Sequence, residues 1–233
     1  MQIHWLYMSQ YREGLVQFLV ITGLLVVLST QVYAKSNISL GHFIVDTPSE
    51  DYQFTSLSMR YQYARFKAKL MVPFIQREGF SNGLGNPVLK FSNDWHFDGK
   101  EKQLTLIYKQ KLALADNNTT TAVSDSALGL EYSHVFSWGI PFFEMGHWWR
   151  ESVSYNRKNS IYGTLGFIKP IKRYVLAVIV DNKPTALGDE DSMASIFVRK
   201  KITSTQAVSF LYGTGLNNSS PNHTLGLQIN QSF

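Results

Sequence analysis

The chain has 233 residues, of which 44% are hydrophobic, 17% charged and 14% aromatic, with a formal net charge of +5 and no cysteine. The absence of cysteine excludes a disulfide framework, a thiolate metal site and a cysteine nucleophile. A mean hydropathy of −0.12 excludes a bundle of membrane helices, but low charge with abundant aromatics admits a β-barrel, whose strands are only half apolar.

In chain order the first element is the apolar run Leu15 to Leu28, LVQFLVITGLLVVL, the only long one in the sequence. Arg12 precedes it. Ser29-Thr30-Gln31-Val32-Tyr33-Ala34 follows, and Val32 and Ala34 supply the small residues that a signal peptidase requires before its cut. The run is short for a bilayer span of about 20 residues. We read residues 1–34 as a cleaved secretory signal and 35–233 as a single barrel domain; the alternative is an uncleaved helical anchor. MQIHWLYMSQYREG is unlike an ordinary leader start, and initiation at Met8 instead of Met1 gives a more usual one. Removing 1–34 takes away only Arg12 and Glu13, so the net charge stays with the exported part.

After Lys35 the pattern changes to segments of about ten residues that alternate apolar and polar, separated by turn chemistry. A weak first segment spans Ile38 to Val45. In RFKAKLMVPFI, Phe66, Ala68, Leu70, Val72 and Phe74 fall on one face and Arg65, Lys67 and Lys69 on the other. Leu104, Leu106 and Tyr108 oppose Thr105, Lys109 and Lys111; Leu128, Leu130 and Tyr132 oppose Glu131. Val208, Phe210 and Tyr212 oppose Ser209, and the last stretch sets Leu225, Leu227, Ile229 and Phe233 against Gly226, Gln228 and Asn230. Tyr174–Val180 is apolar on both faces, and Ser195–Lys200 admits two readings. The count is about twelve strands.

The links between them alternate in length. Tight ones fall near Gln62–Ala64, Asp98–Lys100, Trp138–Pro141, Lys169–Arg173 and Lys201–Ser204; longer polar ones fall at Gln76–Asn86, Ala115–Asp125, Ser154–Asn159, Asn182–Asp191 and Thr214–Asn222. Short periplasmic turns and longer external loops are the habit of outer-membrane barrels. Aromatics gather at the strand ends: Tyr61, Tyr63, Trp95, Phe97, Trp138 and Phe233 at the short-turn side, Trp149 and Tyr212 at the long-loop side. Two such girdles suit the two interfaces of a bilayer. A final strand closing on Phe233 carries the sorting signature read by the barrel-assembly machinery. The expected fold is therefore an all-β, antiparallel transmembrane barrel in the outer membrane, in contact with its lipids.

Three stretches carry a family resemblance. GLGNPVLKF (Gly83–Phe91), LYGTGLNNSSPNHTLGLQINQSF (Leu211–Phe233) and RYQYARFKAKLMVPFI (Arg60–Ile75) resemble a strand opening, the closing hairpin and an early hairpin of one family. That family comprises outer-membrane transporters named for the meta-pathway of phenol degradation. Asn86 stands where the family commonly has Asp. The resemblance implies an outer-membrane barrel with a transport role and carries over no catalytic residue.

For function, the strongest constellation is basic. On polar-face parity, Arg60, Arg65, Lys67, Lys69, Lys90, Lys109 and Lys111 fall on four consecutive segments, with Asp94, Glu131 and Glu144 as acidic neighbours. Rings of Lys and Arg in a pore favour anions, unless the charges pair across strands and plug the lumen. The expectation is a passive channel or transporter for small solutes with an anion-favouring lumen stripe. The alternatives are a lipid-modifying barrel enzyme and a non-conducting structural or adhesion barrel.

Tyr132-Ser133-His134-Val135-Phe136-Ser137 is faintly similar to the Tyr-x-His-x-Ser strand of outer-membrane phospholipases, but Ser137 lies three positions from His134. Period-2 geometry then puts the two on opposite faces, so no enzyme is expected. His147-Trp148-Trp149-Arg150-Glu151 reads as an interfacial anchor and Asp189-Glu190-Asp191 as a solvated loop. No metal or other cofactor is expected. No nucleic-acid motif accompanies the pI of 9.3, whose basic residues map to alternating strand positions.

Overall fold

The computed structural model describes residues 34–48, 51–77, 82–113, 124–150, 159–183 and 191–233. The leader through residue 33, Glu151, Asp189, Glu190 and the tips of several long links lie outside the described residues. Twelve long strands of 9 to 12 residues carry the fold: β1 (Lys35–Asp46), β2 (Tyr52–Tyr63), β3 (Phe66–Arg77), β5 (Val88–Phe97), β6 (Lys102–Lys111), β7 (Asp125–His134), β8 (Ile140–Arg150), β9 (Ser160–Ile171), β10 (Tyr174–Asn182), β11 (Ser192–Lys201), β12 (Gln206–Gly215) and β13 (His223–Ser232). Between β3 and β5 sits β4, the two-residue rung Gly83–Leu84. Strands of this length are what a bilayer crossing requires.

Sequence neighbours pair throughout, and β1 pairs antiparallel with β13, from Asn37 opposite Ser232 to Asp46 opposite His223. The sheet is thereby closed into a barrel. Closure satisfies every edge, which lipid demands because no water is available to bond open N–H and C=O groups.

Side-chain parity sorts the two faces. On β13 the outward Leu225, Leu227 and Ile229 are 44–56% exposed, while the inward Thr224 and Asn230 are buried. The same inversion runs round the barrel: Leu40, Leu57, Leu130, Leu165, Val178 and Ile196 lie outside, and Ser39, Ser58, Asp94, Thr105, Glu144 and Ser209 lie inside. A water-soluble sandwich hides its apolar face; here that face is outermost, as in a barrel surrounded by lipid.

The strand boundaries refine the sequence expectation at several places. β2 continues through Tyr63, and the tight turn is Ala64–Arg65, so Arg65 stands exposed on the turn and not on the barrel wall. Ala64 and Lys172 take φ of 50°, the left-handed values that let a two-residue hairpin follow the strands' twist. The β7–β8 turn spans 135–139 and is pinned by Phe136 and Gly139, slightly earlier than expected. The first strand is longer than its weak alternation implied, running from Lys35 to Asp46. The motif GLGNP makes a bulge: Met71 faces Val88 and Phe74 faces Leu84, so Gly85–Pro87 oppose only two residues of β3.

Candidate functional site: the barrel interior

The charged residues anticipated from the sequence, Arg65 apart, fall on the inward parity of β2, β3, β5, β6, β7 and β8. Register gathers the cations further than spacing alone could. Arg60 is opposite Lys69, Lys69 opposite Lys90, and Lys90 opposite Lys109, so four cations on four adjacent strands form one continuous row. Lys67 lies one inward step toward the turn from Lys69, and Lys111 one step toward the loops from Lys109. A second, acidic row crosses the same wall. Asp94 is opposite Thr105, Thr105 opposite Glu131, and Glu131 opposite Glu144; the row continues through Thr164 to Asp181.

Two cations are neutralised by contact. Lys67 forms an ion pair with the buried Asp94, which also accepts a hydrogen bond from Thr105 Oγ1 at 3.0 Å. Lys109 Nζ is 2.6 Å from Glu144 Oε1, reaching past β7, where Ala127 and Gly129 leave room. Among the described residues, Arg60, Lys69 and Lys90 have no carboxylate within ion-pair distance. Arg60 is exposed and Lys69 and Lys90 are half-buried. Like charges directly opposite one another destabilise a sheet, so this row is kept against a stability cost.

Beside the Lys109–Glu144 pair the interior is filled by one ring. Tyr162 is 1% exposed, and its ring lies over Gly129 and Gly146, which face each other on β7 and β8. A Cβ at Gly129 would stand 2.3 Å from Tyr162 Oη, and one at Gly146 would stand 2.5 Å from its Cε1. Lys109 Nζ sits 4.3 Å from the centre of the same ring, a cation–π contact. Trp148 flanks it at 6.2 Å between ring centres. On β10, Asp181 accepts a 2.6 Å hydrogen bond from Thr164 Oγ1 and is 3.1 Å from Lys183 Nζ.

Several interior residues escaped the sequence reading. Arg199 is one, on the ambiguous segment Ser195–Lys200. Its register partner Ser209 is inward and 2% exposed, which places Arg199 inward, and its charge acts on Arg60. The clear alternation of Val208, Phe210 and Tyr212 on the neighbouring strand was the available signal. Tyr162 and the inward apolar residues Phe43, Phe54, Phe197 and Leu211 were missed because the reading followed charge, and Asp181 because it directly follows Tyr174–Val180, a segment apolar on both faces.

The aromatics expected at the interfaces occupy outward or end positions. Tyr61, Tyr63, Trp95 and Phe97 are on the outward parity near the turn end, Trp138 is exposed in the β7–β8 turn, and Phe233 follows β13 at 70% exposure. Trp149 and Tyr212 are outward near the loop end. His134 stacks on Phe136 at 4.0 Å, and the stack continues through Trp138 to Phe167. Ser137 lies in the turn beyond. His134 is therefore part of an outward aromatic ladder. His147 packs edge-on to Trp149 on the outward face, while Arg150 hydrogen-bonds Ser160 Oγ. No cluster of three or more metal-ligating side chains occurs among the described residues.

No family model and no curated protein matches the chain. Solved structures do. An outer membrane channel from Pseudomonas putida F1 superposes with a TM-score of 0.65 at 14% identity, over 86% of this chain and 95% of the other. A KdgM porin, in complex with disordered oligogalacturonate, superposes at 0.65 and 12% identity, over 84% of this chain and 99% of the other. The β domain of the Bordetella autotransporter BrkA reaches 0.52 at 12% identity, over 86% of this chain and 100% of the other. The fold is thus that of outer-membrane β-barrels, and the chain spans nearly the whole length of these barrels.

Proposed function

We propose that this chain is an outer-membrane channel through which small solutes pass passively, with a lumen that favours anions. One observation carries the reading. Arg60, Lys69 and Lys90 occupy consecutive register positions on the inner wall with no carboxylate in contact among the described residues, and Arg199 adds a further positive charge on the inward face of β11. Unpaired cations facing an aqueous path raise the local concentration of anions and repel cations. The likeness to an outer membrane channel and a porin supports the channel reading, as does the resemblance to the transporter family named for the meta-pathway of phenol degradation. The porin's ligand, a chain of sugar acids, supports an anionic solute in a barrel of this form. The same reading includes export with cleavage after Ala34, lipid contact through the outward aromatics, and recognition of β13 and Phe233 by the assembly machinery. It assigns no catalytic residue.

The pairing of Lys67 with Asp94 directs the test to other lysines. Lys69→Glu with Lys90→Glu should move the reversal potential of the reconstituted protein, in a salt gradient, toward the cation equilibrium value. Lys67→Gln combined with Asp94→Asn should move it little, because the two changes remove both members of a neutral pair. Equal reversal potentials for wild type and the double variant would reject the basic row as the selectivity element.

A further inference from the structure

Opposite the charged wall, the interior carries an apolar belt. Phe197 is in register with Leu211, Leu211 with Gly226, and Gly226 with Phe43. Gly226 is the floor of this belt. A Cβ there would stand 2.4 Å from Phe43 Cδ1 and 3.5 Å from Leu211 Cβ, so both side chains lie over it. Phe43 in turn stacks on Phe54 of β2, with ring centres 4.6 Å apart and planes 12° from parallel. All four side chains take the inward parity and all keep part of their surface accessible. Apolar surface held against a polar lumen is unfavourable unless something covers it, and a passage for inorganic ions alone gains nothing from it.

The belt adjoins a cation. Arg199 is the next inward residue after Phe197, roughly 7 Å along the strand, whereas Arg60 lies three inward steps past Phe54 on β2. Both guanidiniums lie on the turn side of the belt, since β2 and β11 run from the loop end to the turn end and Phe54 and Phe197 come first. The wall between the two arginines is built from small residues, among them Ser209, Asn230, Ser39 and Ser58, all buried.

We propose that the lumen holds a binding site for organic monoanions with an apolar body. The carboxylate would lie at Arg199, whose planar fork suits it. The hydrocarbon body would lie on Phe43, Phe54, Leu211 and Phe197. The proposal rests on the anion-accepting lumen argued above and adds the chemical class of the solute.

The test uses the folded, detergent-solubilised barrel and isothermal titration with three probes: hexanoate, acetate and 1-hexanol. Hexanoate shares its head with acetate and its tail with hexanol, so each half of the site is read separately. Hexanoate should bind about tenfold tighter than either. Phe43→Ser and Leu211→Ser should each weaken hexanoate several-fold and leave acetate unchanged, which also subtracts probe dissolved in detergent. Arg199→Gln should bring hexanoate down to the level of hexanol. Heat-modifiable migration selects folded variants, and either belt variant suffices. Equal binding of hexanoate and acetate, or belt variants that bind hexanoate as well as wild type, would overturn the site. An anion-selective conductance without hexanoate preference would reject this site and keep the channel; hexanoate preference in a barrel that is silent in bilayers would keep the site and reject the channel.

Discussion

At the scale of single residues, the interior is organised by who neutralises whom and by what small residues permit. Lys109 reaches Glu144 across β7 only because Ala127 and Gly129 present no bulk beneath it, and Tyr162 fits only because Gly129 and Gly146 have no Cβ. Gly146→Ala should therefore lower the free energy of unfolding in a urea titration by about 1–3 kcal/mol, as for other overpacked interiors. In a Tyr162→Ala background the same change should cost less, since the ring it meets is gone. A Gly146→Ala barrel as stable as wild type would mean that the ring has somewhere else to go. The unpaired row predicts the opposite sign. Lys69→Gln removes a like charge from between Arg60 and Lys90 and should raise stability by up to about 1 kcal/mol while weakening anion preference, a stability cost carried for function. A destabilised Lys69→Gln would show that the row is compensated in some other way.

At the scale of strands, alternation decides facing, and facing decides tolerance. On β13, Leu227 is outward and 54% exposed while Gln228 is inward. Leu227→Arg, near the middle of a lipid-facing strand, should cost about 2–4 kcal/mol in bilayer-coupled unfolding, whereas Gln228→Arg should cost far less. Equal costs would contradict the assigned faces. This alternation is also why so much of the fold was legible in the sequence. Strands such as β6, β12 and β13 write their faces in plain period-2 order, and their links advertise short and long sides. What stayed illegible has a physical cause. β10 is apolar on both faces because Val175, Ala177 and Ile179 point inward beside the apolar belt, so lipid side and lumen side look alike. β11 was ambiguous for the same reason at Phe197, which hid Arg199. Arg65 was misplaced because a turn residue keeps strand parity on paper when the turn is moved by one position. Cross-strand rows such as Arg60–Lys69–Lys90–Lys109 depend on register, which no single segment contains.

At the scale of the whole barrel, the two halves of the interior differ in chemistry. β2 to β8 bring most of the cations and carboxylates in two oblique rows, whereas β10 to β1 bring serine, small residues and most of an apolar belt, with Asp181 and Arg199 among their charges. The exterior is uniform by comparison: aliphatic in the middle, aromatic toward both ends. A closed barrel with its apolar side outward belongs in lipid, and its likeness at 12–14% identity to an outer membrane channel, a porin and an autotransporter β domain reflects a shared architecture. Function then depends on what lines the inside, where, among the described residues, Arg60, Lys69, Lys90 and Arg199 have no carboxylate within ion-pair distance. The most direct measurement is the current through the wild-type protein in a planar bilayer separating two concentrations of potassium chloride. Discrete conductance steps that reverse toward the chloride equilibrium potential are the predicted result. Steps that reverse toward the potassium value, or a folded, heat-modifiable barrel that never conducts, would contradict the account.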